Sequence, residues 1–247
     1  MVQHASVLLV LTSEAYMNET AKLDKSIRAL TVLMALLLLI MGALLLTRDH
    51  WKAELQAAAS KEVVEAIKSG NTVISLTTLP PEIEGEEDDL EVLQGLEEVY
   101  GHSLLEDVPE ATDRLIGMAT LEIPKIDLLL PVVEGTGRIQ LRYGAGWLVT
   151  SALPGQPGNC VIFGHRMRAK GRKFNRLDEL ISGDEVIIAD AEGTVYTYIV
   201  NETVEVEPAD LFKELYKGAE GRNLSLVTCT PVGVGSRRMV VNCELEQ

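Results

Sequence analysis

Cysteine is nearly missing from this 247-residue chain: Cys160, Cys229 and Cys243 are the only three, and no two stand in the CxxC spacing of a zinc site or redox dithiol. So few thiols rule out a disulfide-stapled secreted scaffold and leave at least one outside any intramolecular bridge. Histidine is almost as rare, with four, and aromatic residues make up only 4%. Basic residues are outnumbered, 22 Lys and Arg against 37 Asp and Glu, for a net charge of -15. That balance excludes a nucleic-acid partner, because phosphate binding depends on clustered cations that release counterions. Internal repeats and low-complexity tracts are absent. The 47% hydrophobic and 24% charged residues are the balance of a globular protein, and the length suits one catalytic core with appendages.

Ala29 to Leu46 is an unbroken run of apolar and small residues, relieved only by Thr31 and Gly42. At 1.5 Å of helix per residue, ~20 residues match the ~30 Å hydrocarbon core of a bilayer. A cleaved signal peptide has a shorter apolar region, of ~7–15 residues. The run therefore predicts a transmembrane signal anchor over 27–47. Lys22, Lys25 and Arg28 precede it while Arg48 and Lys52 follow, so the positive-inside bias puts a tail, 1–26, in the cytoplasm and the remainder outside. The segment opening at Met17 resembles an ordinary short tail better than that opening at Met1, which makes Met17 an expected translation start.

Residues 48–113 form an expected extracellular helical segment and acidic linker or arm. From Arg48 to Ser69, Trp51, Leu55, Ala59, Val63, Ala66 and Ile67 recur at three- and four-residue steps, and Gly70 supplies a stop. Glu82 to Asp113 then holds 13 acidic residues and no Lys or Arg, so the chain's acidity belongs to this stretch and the rest is close to neutral. Glu86, Glu87, Asp88 and Asp89 lack the glycine and terminal glutamate of an EF-hand, and no metal or cofactor is implied.

From Arg114 onward the pattern is β-rich. Strands are predicted at Ala119 to Ile123, Leu128 to Val133, Asn159 to Phe163, Glu185 to Ala189, Thr194 to Val206, Leu224 to Thr228 and Arg238 to Glu244. A hairpin turn is predicted at Ala191-Glu192-Gly193 and a helix at Lys173 to Leu180. Many short strands with few helices predict a mainly β fold, a closed or nearly closed barrel.

Chemistry concentrates on few side chains. Cys229 ends the apolar run LSLVTC and is followed by Thr230, Pro231 and Gly233, so a strand delivers its thiol to a turn. Cys160 and Cys243 lie inside apolar strand patterns and are expected to be inert core thiols. His4, His50 and His102 fall in the tail, beside the apolar run and in the acidic stretch, which leaves His165 as the candidate base of the β-rich region. Arg237 and Arg238 follow Cys229 across a Gly-rich turn that can bring either guanidinium back beside the thiol. A thiol of pKa near 8.5 is only a few per cent thiolate at neutral pH, so a neighbouring imidazole or guanidinium is needed to activate it.

These residues resemble the sortases, membrane-anchored cysteine transpeptidases of mainly Gram-positive bacteria. The resemblance is carried by LEIPKIDLLLPVVEG (Leu121 to Gly135), GAGWLVTSALPGQPGNCVIFGHR (Gly144 to Arg166), FNRLDELISGDEV (Phe174 to Val186) and LVTCTPVGVGSRRMVV (Leu226 to Val241), in the family's order. It implies an eight-stranded β-barrel over 114–247 with His165, Cys229 and Arg238 as catalytic residues and Thr228 and Arg237 at the substrate. The nine-residue step from Cys229 to Arg238 and the TCTP run resemble class C. Ser225 stands where the TLxTC-type motif begins with Thr, and Asp107-Val108-Pro109 does not match the class C lid motif of Asp-Pro-aromatic.

The implied reaction cleaves an LPxTG-like sorting signal through a thioester on Cys229 and passes the protein to an amine, from a cell-wall precursor or a pilin lysine. The implied partners are surface proteins or pilins bearing that signal, with the enzyme held at the cell membrane by a single pass. The alternative is a catalytically inactive or purely hydrolytic membrane-tethered barrel that binds such peptides.

Overall fold

The computed structural model describes residues 27–28, 30–44, 54–79, 114–167, 173–217 and 220–246. The tail 1–26, both candidate start residues, the acidic stretch Glu82 to Asp113 and His4, His50 and His102 lie outside the described residues. The chain divides into two compact units, Met1–Ala53 and Glu54–Gln247. In the first, residues 30–44 are helical (α1), and Leu30, Leu33, Leu37 and Leu44 are all exposed. No helix among the described residues is long and apolar enough to cross a membrane.

The second unit begins with a helix at 54–68 (α2). Part of the predicted stripe is buried, Ala59, Val63 and Ile67 against Ile74, Leu79, Leu115 and Val133, whereas Leu55 is exposed and Trp51 lies outside the described residues. Burying a Val or Ile side chain contributes about 1.5–3 kcal/mol. The stripe therefore docks α2 onto the strands, and of the segment expected as a connector the described residues 54–79 form one body with them.

Nine strands follow among the described residues: β1 (Val73–Ser75), β2 (Arg114–Ile123), β3 (Leu128–Glu134), β4 (Ala145–Trp147), β5 (Gly158–Phe163), β6 (Glu185–Asp190), β7 (Val195–Val206), β8 (Arg222–Thr230) and β9 (Arg237–Leu245). Their order is β1-β2-β3-β4-β5-β8-β9-β7-β6, and β6 returns to pair with β2. That closure makes β2 to β9 the expected eight-stranded barrel, with β1 added beside the start of β2. Closure leaves the barrel no free edge.

Two short helices escape the sequence pattern, α3 (Arg138–Tyr143) and α4 (Leu211–Leu215), as does the three-residue β4. β4 lies so close to the chain before it that a Cβ on Gly146 would stand 2.4 Å from the Gly135 carbonyl oxygen. The predicted helix at Lys173 to Leu180 is instead a 3-10 helix, Phe174–Glu179, interrupted at Arg176. Phe174, Leu177 and Leu180 are three residues apart, and in a helix of three residues per turn that spacing stacks them on one buried face.

Side chains alternate between the barrel interior and the outer face. Leu121, Leu130, Ile162, Ile188, Leu224 and Val241 fill the interior. Tyr198 is fully buried among them, and its phenolic oxygen accepts a 2.7 Å hydrogen bond from the Gly155 backbone N–H. Burial pushes this phenol up to about 12. Tyr198→Phe leaves the Gly155 donor unsatisfied and is expected to lower stability by about 1–3 kcal/mol, read from denaturant midpoints. A midpoint equal to that of the parent chain contradicts this assignment.

Candidate active site

β5 and β8 run parallel, so both reach the same end of the barrel, and β9 starts back from that end antiparallel to β8. On the outer face the registers stack into rows: Val161, Ser225 and Asn242, then Phe163, Val227 and Val240. The next row is the candidate site. Cys229 faces Arg238 directly. Past the end of β5 the ladder continues, with the Gly164 N–H donating to the Val227 carbonyl at 3.0 Å. Two residues beyond the Phe163–Val227 pair stand His165 and Cys229, so three neighbouring lanes present His165, Cys229 and Arg238 side by side. Adjacent strands are about 4.8 Å apart, which places an imidazole and a guanidinium on opposite flanks of the thiol.

All three are covered, with exposures of 2% for His165, 7% for Cys229 and 1% for Arg238. Cys229 belongs to an apolar cluster with Leu141, Phe163, Leu211, Leu215, Val227 and Val240, in which α4 roofs the outer face. Arg238 is among the largest fully buried side chains, and no carboxylate pairs with it among the described residues. Its Nη1 donates to the Gly235 and Arg237 carbonyls at 2.7 and 3.1 Å, and its Nε is buried without an acceptor. Among the described residues this buried positive charge meets only carbonyl acceptors, and in low-dielectric surroundings it acts most strongly on developing negative charge.

Supporting contacts set the row. Thr228, on the interior face, donates from Oγ1 to the Gly164 carbonyl at 2.8 Å and so ties the strand carrying Cys229 to the residue before His165. A Cβ on Gly164 would fall 2.5 Å from the Phe174 ring, whose own backbone N–H donates to the His165 carbonyl at 3.1 Å. Arg237, facing Thr230, turns away from the row: its Nη1 lies 3.1 Å from Glu205 and its Nε 3.1 Å from Glu207. Ser225 donates to Asn242 Oδ1 at 2.9 Å and accepts from Asn159 Nδ2 at 3.0 Å. Asn159 and Asn242 in turn hold the Leu215 carbonyl and the Glu214 carboxylate at 2.8 and 3.0 Å, pinning α4. A hydroxyl is what this position uses, and serine supplies it as threonine does.

None of the three cysteines is in a disulfide. Cys160 and Cys243 flank Leu224 on one row, two strand spacings apart, about 10 Å and beyond the ~4.4–6.8 Å a disulfide spans. Burial pushes both thiols up to about 12. Two residues beside the row went unremarked in the sequence, Arg166 and Glu205. Their partners lie on other strands and, for Asp178, on the 3-10 helix, and only the fold brings them together.

A closed eight-stranded barrel that lines up a cysteine, a histidine and a buried arginine is a framework for cysteine-nucleophile chemistry. Residues 121–246, about half the chain, match the Sortase domain, and the chain belongs to the sortase family. It is 30% identical over 132 residues to a sortase A of Streptococcus agalactiae, covering 51% of this chain and 52% of that protein. It is 35% identical over 124 residues to a sortase D of Bacillus subtilis, covering 49% of this chain and 60% of the relative. The chain thus spans between half and two thirds of the length of these curated relatives. A structure of sortase A from Corynebacterium diphtheriae, a lid mutant, matches with a TM-score of 0.50 and 28% identity over 77% of this chain and 95% of that one. Relatives bearing the letters A and D place the chain in the family without assigning it to one class.

Proposed function

We propose that this protein is a cysteine transpeptidase that cuts an LPxTG-like sorting signal and transfers the protein to an amine. The observation that carries the proposal is the single row of His165, Cys229 and Arg238 across three neighbouring lanes of one barrel wall. The Cys229 thiolate attacks the Thr–Gly carbonyl of the signal. Arg238 stabilises the oxyanion, and protonated His165 gives its proton to the leaving glycine amine as the C–N bond breaks. The protein is left as a thioester on Cys229. An incoming amine then attacks it, His165 takes up the amine's proton, and a new amide forms as the thiolate departs. Thr228 holds the His165 segment in place, and Arg237 stands at the rim of the row.

The proposed donors are surface proteins or pilins with the signal, and the acceptor is a cell-wall precursor or a pilin lysine. The apolar run over 27–47, exposed on all sides where α1 is described, supports a single membrane pass with the barrel outside. The test is product mass: the full-length chain is incubated with an LPxTG-type peptide, with and without added triglycine. An amide adduct carrying the triglycine is expected. Hydrolysed peptide alone in both reactions points to a hydrolase, and no turnover at all to an inactive peptide-binding barrel.

A further inference from the structure

Resting on the proposed pairing of His165 with Cys229, we propose that Arg166 is a positioning residue that fixes the distance between these two side chains. Arg166 follows His165 directly, and Thr230 follows Cys229 directly. The Arg166 Nη1 donates to Thr230 Oγ1 at 2.9 Å, while its Nη2 meets Asp178 Oδ1 at 3.0 Å. The arginine side chain is 7% exposed, whereas Asp178 is half exposed. One planar guanidinium thus grips the row next to the catalytic one from two sides, with the strand of the nucleophile on one and the 3-10 helix on the other.

The alternation of faces explains the arrangement. Gly164, Arg166, Thr228 and Thr230 share the interior face, and His165 and Cys229 share the outer one. Thr228 to Gly164 and Arg166 to Thr230 are therefore two cross-strand ties, one on each side of the His165–Cys229 pair. β5 ends at Phe163, and its ladder with β8 runs only one bond further, from the Gly164 N–H to the Val227 carbonyl at 3.0 Å, before the isolated bridge between Arg166 and Lys173 pairs the segment with the start of the 3-10 helix instead. Beyond the ladder the side-chain ties have to hold what backbone pairing no longer holds. Thr230 continues the chain by donating to Glu205 Oε1 at 3.2 Å, which reaches β7.

A fixed fork suits this task better than a flexible ammonium, since only a guanidinium serves both partners in one plane. An error of about 1 Å between reacting groups can cost about a hundredfold in rate.

The test uses the full-length chain carrying Arg166→Met, Arg166→Lys, Thr230→Val or Asp178→Asn. It reads kcat and KM for peptide cleavage, and the rate at which iodoacetamide alkylates Cys229 near neutral pH. Arg166→Met is expected to lower kcat by about 10- to 100-fold with KM within about threefold, and to slow alkylation. Arg166→Lys recovers part of that loss, and Thr230→Val adds nothing when combined with Arg166→Met. An unchanged kcat, or a loss carried by KM alone, overturns the proposal. Should Arg166→Met not fold, a lowered kcat in Thr230→Val supports the tie and a kcat equal to wild type overturns it. If the parent chain cleaves no peptide, the functional proposal fails by itself, and alkylation then decides: a slower rate in Arg166→Met upholds the positioning role and an equal rate removes it.

Discussion

Cys229→Ala is expected to lower turnover of an LPxTG-type peptide by about 10⁴-fold or more, because the nucleophile is the one group whose role no neighbour takes over. The two other cysteines provide the contrast within the same molecule. Cys160 and Cys243 are 1% and 2% exposed inside the barrel, and their thiols, pushed up to about 12, remain protonated across the neutral range. Each alanine replacement there removes a sulfur atom from a packed interior. It should cost roughly 1–2 kcal/mol of stability and leave turnover within about threefold. Iodoacetamide applied to the native chain near neutral pH should modify Cys229 and spare the other two, located by peptide mass. Full turnover in Cys229→Ala, or loss of turnover on replacing Cys160 with the barrel still folded, ends the assignment of Cys229 as nucleophile.

Most of the barrel was legible because its walls bury both faces. CVIF is apolar without interruption and LSLVTCT is broken only by small hydroxyl residues, since α4 covers the outer face while Leu224, Leu226 and Ile162 fill the inner one. The stripe of α2 was legible for the same reason, as its spacing reflects a real apolar contact. β4, α3 and α4 were not. Three to six residues are too few to show a period, and Gly146 in β4 is set by a backbone approach that only tertiary structure reveals. Of the site, Cys229 was legible from its place at a strand end and His165 by elimination of the other histidines. The clamp made by Arg166, Thr230 and Asp178 was not, because its members are 64 and 12 positions apart and meet through the parallel pairing of β5 with β8 and the fold of the 3-10 helix. The choice between Arg237 and Arg238 was open in the Gly-rich turn itself and rested on family resemblance. Strand register separates them, since neighbours on a strand point to opposite faces.

That separation makes Arg238 the second large effect. Arg238→Met keeps the apolar bulk of the side chain and removes its charge. If the guanidinium stabilises the oxyanion of the tetrahedral intermediate, kcat should fall by about 10²–10³-fold with KM little altered. Stability should move the other way. The native guanidinium is buried with two carbonyl acceptors, an orphaned Nε and no carboxylate partner among the described residues, so its desolvation is poorly compensated. Replacing such a charge by an apolar chain of similar length is expected to leave the thermal midpoint unchanged or raise it. A residue kept for folding shows both losses together, whereas a residue kept for chemistry shows activity lost and stability retained. Arg237→Ala is the internal control. It removes half-exposed pairs with Glu205 and Glu207, contacts of the kind that contribute about 0.2–1 kcal/mol, and should leave kcat within about threefold. A greater kcat loss in Arg237→Ala than in Arg238→Met would transfer the oxyanion role to Arg237 and require β9 to shift by one residue against β8 in the working enzyme. Such a shift would turn Val240 and Arg238 to the opposite face and uncover the apolar roof beneath α4.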